Sequence, residues 1–323
     1  MYQKAAEITD EYLLPSIRAT VDPQATLPRG RLITILHTLQ GSVAGSTSIR
    51  EYMSPVRWSS GIYAVRLDIQ KVSTAEQASA TIIHEVAHLV DNTLILQGKT
   101  SAYGWISEAL AVNAEDYAAR LSLGGTAKVV APGPKAPLPP NTVATHLRSS
   151  ATPNPSETSP YSIKTPWYGA YERGARILRY AAEKVGGVAE VYRRLAATAP
   201  AWNAPDEERL AAWGIDRLAE VVGMTAEQLL TESMLAEVTD DLVSEQDAAR
   251  HGLPQLEAWR HVNEPLADRA PIPLDRTVTQ ARPAQIVGGG YIAWRIPGLR
   301  GHGLSLKADG IPAQHEVRLT RLR

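Results

Sequence analysis

Cysteine is absent from the 323-residue chain, which removes three chemistries at once: a disulfide framework, a thiolate metal site and a cysteine nucleophile. Any metal ion must therefore be held by nitrogen and oxygen. Net charge is missing as well. With 33 lysines and arginines against 34 aspartates and glutamates, no overall field draws the molecule onto nucleic acid or an anionic membrane. No run approaches the roughly 18 apolar residues of a membrane span, and the opening residues, MYQKAAEITDEYLLPSIR, carry charge where a secretory leader has an apolar core. The expectation is a cytoplasmic protein with neither membrane nor nucleic acid as partner. Phenylalanine is also absent, and nothing in the sequence accounts for it.

What the chain does contain is ordinary for a folded protein: 44% apolar and 21% charged residues, over a length that suits two or three structural units. A helix is expected over Ala5 to Leu14, followed by β-like runs in RLITILHTL, GSVAGSTSIR and GIYAVRLDIQ. In the last of these, Ile62, Ala64, Arg66, Asp68 and Gln70 alternate with Tyr63, Val65, Leu67 and Ile69. Such alternation predicts a strand with one face to solvent, at a sheet edge. Ser73 and Glu76 have the spacing of a capping box, so a helix is expected from about Ser73 past His88, and a second from about Gly104 to Leu121.

Between Val130 and Pro166 proline, serine and threonine crowd the chain, which predicts a long loop. Helical periodicity then returns from PWYGAYERGARILRYAAEKVGG through TAEQLLTESMLAEV. From His251 short β-like runs such as YIAWRI and HEVRLTRLR suggest a small appended unit. The fold class is α+β, divided as 1–72 (a small sheet), 73–250 (a mainly helical part) and 251–323 (a β-rich C-terminal unit).

One stretch carries chemistry. In TIIHEVAHLVD, His84 and His88 are four residues apart, so on a helix both imidazoles lie on one face, about 6 Å apart along the axis, and can share an ion. Glu85 beside them can act on a metal-bound water without being a ligand. Two acids on the next helix, Glu108 and Glu115, can complete the site. They are seven residues apart and project from one face, so one can bind the ion while the other accepts a hydrogen bond from a ligand imidazole. Asp91 is a further candidate for such an acceptor.

HEVAH followed by WISEALAVNAED resembles the gluzincin metallopeptidases, and is similar to the aminopeptidase-N and thermolysin arrangement in which a later helix supplies a glutamate ligand. The resemblance implies a zincin-like catalytic domain, Zn2+ as cofactor, His84, His88 and Glu108 as ligands, Glu115 as the acceptor behind a ligand, and Glu85 as catalytic base. YERG is similar to the Y-x-x-G helix of that group, which implies for Tyr171 alone that it stabilises the oxyanion; failing it, Tyr168 or Tyr103 can donate that hydrogen bond. Coverage runs from about Gly61 to Ala236 and is specific only at the zinc motif.

The chain departs from the aminopeptidases at the strand before the zinc helix. Their G-x-M-E-N segment holds the substrate amine with an acid, whereas SSGIYAVRLDIQ has none at the equivalent place. The expected activity is therefore endopeptidase cleavage of a peptide or protein substrate. A strand edge beside the cleft would align that substrate.

Two other classes compete. A zinc-bound but non-catalytic structural or interaction protein would not need Glu85, and in that reading the C-terminal unit, with Arg295, Arg300 and Arg318, binds a protein partner. A helix-turn-helix is outlined by LAEVVGMTAEQLL, yet its second helix, TAEQLLTESMLAE, holds three glutamates and no base, which phosphate would repel. His146, in the proline-rich stretch, reads as a solvated loop residue or a substrate contact.

Overall fold

The computed structural model describes residues 1–26, 32–38, 44–48, 63–102, 105–122, 174–239 and 246. Tyr171, Tyr168, Tyr103, His146, the proline-rich stretch and the C-terminal unit lie outside them. Within the described residues the chain is mainly helical with one small mixed sheet, an α+β arrangement.

Helix α1 spans Tyr2–Thr20 and runs through Pro15, well beyond the expected end at Leu14. Proline removes an amide and crowds the preceding turn, at a cost of about 3 kcal/mol in a helix interior. Pro15 faces solvent, while Leu13, Ser16, Ile17 and Thr20 on the other side are buried, so the core contact carries the helix past it. Strands β1 (Leu32–His37), β2 (Gly45–Thr47) and β3 (Tyr63–Asp68) form a sheet ordered β1-β3-β2. β1 pairs parallel to β3, Leu32 opposite Tyr63, and β2 pairs antiparallel, Gly45 opposite Leu67.

The expectation of an edge at GIYAVRLDIQ is thus corrected. β3 is the middle strand of the described sheet, and the edges are β1 and β2. Its polar alternation misleads because Asp68, though acidic, is buried at the strand's end, accepting a hydrogen bond from the Gln70 amide and pairing with Lys71 at 3.5 Å. Ala64, on the same face, is buried too.

Helix α2 (Ala75–Leu96) is capped by Thr74, whose hydroxyl accepts from the Gln77 amide, one residue later than the Ser73 expected from sequence. Ser73 contributes differently, donating both its amide and its hydroxyl to Gln77 Oε1. Buried residues surround α2 on most sides, among them Ile82, Ile83, Val86 and Leu89, so it is a central helix rather than a surface one. Small residues Ala75, Ala78, Ser79 and Ala87 allow its neighbours to approach.

Helix α3 (Trp105–Ser122) lies against α2 and α1, and α4 (Ala175–Val185) lies against α3. α5 (Val188–Ala197), α6 (Asp206–Ala212), α7 (Ile215–Val222) and α8 (Ala226–Thr239) complete the helical layer. α7 and α8 are joined at Gly223, whose φ of 74° suits glycine, and Thr225 and Gln228 cap α8 reciprocally. Glu232 of α8 accepts from the Tyr180 hydroxyl of α4 and pairs with Lys184, which ties these two helices together. No helix among the described residues is long and apolar enough to cross a membrane.

Candidate metal centre

The centre is built by the α2–α3 hairpin. His88 faces Ser107 near the start of α3, and His84 faces Glu115 two turns further on, so the helices run antiparallel and bring HEVAH against WISEALAVNAED. His84 Nδ1 lies 2.7 Å from Glu115 Oε1, and His88 Nδ1 lies 3.0 Å from Ser107 Oγ. With His88 Nδ1 in hydrogen-bond contact with Ser107 and His84 Nδ1 in ion-pair contact with Glu115, both Nε2 atoms turn inward. They stand 3.1 Å from each other.

Glu108 Oε2 closes the triangle, 3.2 Å from His84 Nε2 and 3.5 Å from His88 Nε2. This oxygen is sealed from solvent and makes no well-formed hydrogen bond to any described residue. A buried carboxylate oxygen ordinarily has such a partner. Three inward donors, two of them imidazole nitrogens and one a carboxylate oxygen, form a group that could hold a metal ion.

The electrostatics favour a cation at this point. Burial works against a charged His84, but Glu115 and Glu108 outweigh it and raise its pKa well above the ordinary imidazole value. Burial would likewise raise the Glu108 carboxyl, yet the two imidazoles hold it far below the usual carboxylate range. Glu85 is 7% exposed, and its pKa is raised by burial against the pull of the two histidines. Three carboxylates thus surround two imidazoles in a site nearly closed to water, and positive charge is what they lack.

Glu85 faces the sheet. Gly45 of β2 sits directly over its side chain and that of Thr81, one turn earlier on α2. β2 and β3 both lie against the helix that carries the two histidines, with β2 over Glu85, and among the β2 residues Gly45, Ser46 and Thr47 there is no acid.

Asp91 has different partners from those expected of an imidazole's acceptor. Its Oδ1 accepts from the Ala102 amide at 2.8 Å and the Tyr192 hydroxyl at 2.6 Å, fixing α2 to the approach of α3 and to α5. Burial pushes its pKa up to about 6, against those two hydrogen bonds. Ser107 takes the place beside His88 instead. Nothing in the sequence marked Ser107, because a serine in a helix's first turn reads as a capping residue.

Behind the centre a buried network bolts α3 to α4. Arg179 donates to Asn113 Oδ1 and pairs with Asp116, while the Asn113 amide donates to the Ala109 and Ala175 carbonyls. All three side chains are essentially inaccessible. Gly174, at the head of α4, admits the Trp105 ring, which an added Cβ would meet at 2.8 Å.

Comparison of the chain with protein-family models, with curated proteins and with solved structures returns no match. The functional reading rests on the centre itself.

Proposed function

We propose that the protein is a zinc metallopeptidase of gluzincin type that hydrolyses internal peptide bonds, with His84, His88 and Glu108 as the ligands and Glu85 as the base. One observation carries the zinc assignment. Donors about 2.0 to 2.1 Å from a tetrahedral zinc stand about 3.3 Å from one another. The three inward atoms are 3.1, 3.2 and 3.5 Å apart. Two nitrogens and one oxygen also form the ligand set of catalytic rather than structural zinc, leaving a fourth position open.

Zinc in such a site supplies an acidified water and polarises the scissile carbonyl. The chain's own residues supply the rest. Glu85, with a carboxyl pKa raised by burial, accepts a proton from the attacking water and returns it to the leaving amine nitrogen. Glu115 and Ser107 hold the imidazoles so that their Nε2 lone pairs converge. β2 forms the wall on the Glu85 side, and as an edge strand of the described sheet it suits an extended peptide better than a compact ligand. The lack of an acid at the equivalent place in SSGIYAVRLDIQ, the strand before the zinc helix, favours internal cleavage over removal of N-terminal residues.

Metal analysis with a peptide-library cleavage assay tests the proposal. The parent and Glu85→Gln should each carry about one zinc per chain, with cleavage by the variant slowed about 10²- to 10⁴-fold. A parent that binds no zinc, or a variant that cleaves as fast as the parent, refutes it.

A further inference from the structure

Glycine within a strand weakens it, and commonly marks a close backbone approach. Gly45 is such a position. Its φ is not in the left-handed region, where Gly98, Gly186, Gly187 and Gly223 lie, so backbone conformation does not demand glycine there. Space does. A Cβ at Gly45 would overlap Thr81 Cγ2 and come within 3.0 Å of Glu85 Oε1 and 3.1 Å of Glu85 Cγ. Thr81 and Glu85 are one turn apart on α2, so the missing side chain leaves a notch into which this face of the helix fits.

We propose that Gly45 is a positioning residue for Glu85: its bare backbone lets edge strand β2 lie on the glutamate, so that the strand fixes the direction of the carboxylate. The role rests on the reading of Glu85 as the base. Glu85 has many rotamers on a helix, and a base must be held near its productive geometry to act. The wall above it is a strand of three residues, Gly45–Thr47, paired to β3 on one side only among the described strands. Thr81 bounds this seat one turn earlier on α2, and its Cγ2 is the atom a Cβ at position 45 would strike first.

Gly45→Ala must then push either the strand or the carboxylate aside, with the obstruction set mainly by Thr81 Cγ2. Serine at position 81 removes that methyl and retains the hydroxyl. The test is the set Gly45→Ala, Thr81→Ser and the double variant, each measured for zinc content, for kcat and KM on a cleaved peptide, and for thermal midpoint without metal.

In Gly45→Ala, kcat should fall at least about 10-fold, since misplacements near 1 Å can cost about 10²-fold. Zinc content should stay at the parent's level, because His84 and His88 face α3, which carries Glu108, and not the sheet. The metal-free midpoint should drop by several degrees. Thr81→Ser alone should match the parent within about twofold, and the double variant should recover most of both the kcat and the midpoint. An unchanged kcat in Gly45→Ala, a loss of zinc equal to its loss of activity, or a double variant no better than the single one overturns the proposal. If the zinc-loaded parent cleaves nothing while the midpoints still show the rescue, the base assignment of Glu85 has failed and the seat is structural only.

Discussion

His84 is gripped at both ring nitrogens by one neighbouring helix, with Glu108 at Nε2 and Glu115 at Nδ1. The spacing of these acids was legible in the sequence, because residues seven apart on a helix share a face. Periodicity left their division of labour open, since either could reach an imidazole, and only the resemblance implied Glu108 as the ligand and Glu115 behind it. Ser107 was illegible for another reason: its partner His88 lies across a turn, and no periodicity links them. The three side chains should differ in what their loss does. Glu108→Ala should abolish stoichiometric zinc, while Glu115→Ala and Ser107→Ala should retain it with affinity weakened about 10- to 100-fold. Isothermal titration with zinc separates the cases, and tighter binding by Glu108→Ala than by Glu115→Ala would reverse the assignment.

At the scale of elements, helices were easier to read than strands. α2 and α3 follow from capping residues and local propensity, and their observed bounds lie within two residues of expectation at the N-terminal ends. Strand order depends on partners distant in the chain, and so β3 looked like an edge although β1 and β2 flank it. Arg179 likewise depends on partners distant in the chain for its burial. It is buried with Arg176 on α4, and Asp116 and Asn113 of α3 are what receive it. Removing one partner of a buried pair costs about 3 to 5 kcal/mol, because the other charge is left uncompensated. Asp116→Ala should therefore lower unfolding free energy by about that amount in denaturant titration, and weaken zinc binding through the displaced α3. A loss below 1 kcal/mol would mean that the bolt contributes little.

For the whole molecule, the proposed catalytic residues sit on one α-hairpin, but the contacts holding it belong to the rest of the chain. Asp91 reaches Tyr192, 101 residues away, as well as Ala102. No local pattern reveals such a partner. Asp91 also gives the stability a pH dependence. Its folded-state pKa of about 6 lies above the ordinary value of 3.8, so between these limits the folded protein keeps a proton that the unfolded chain has released. The Asp91 contribution to the stability of the metal-free protein should accordingly fall as pH rises from about 4 to about 6, by about 2 to 3 kcal/mol. Asp91→Asn, whose Oδ1 can still accept both hydrogen bonds, should flatten that decline and be the more stable protein at pH 7 to 8. Denaturant midpoints across this range check the sign; a parent that gains stability from Asp91 as pH rises contradicts it.

The central claim is that two imidazoles and one carboxylate, brought together by α2 and α3, hold zinc. X-ray absorption at the zinc edge on the reconstituted protein tests it most directly. The account predicts four light-atom neighbours at about 2.0 to 2.1 Å with the multiple-scattering signature of two imidazoles, reduced to a disordered or absent site in Glu108→Ala. A six-oxygen shell, or a spectrum showing fewer than two imidazoles, would contradict it.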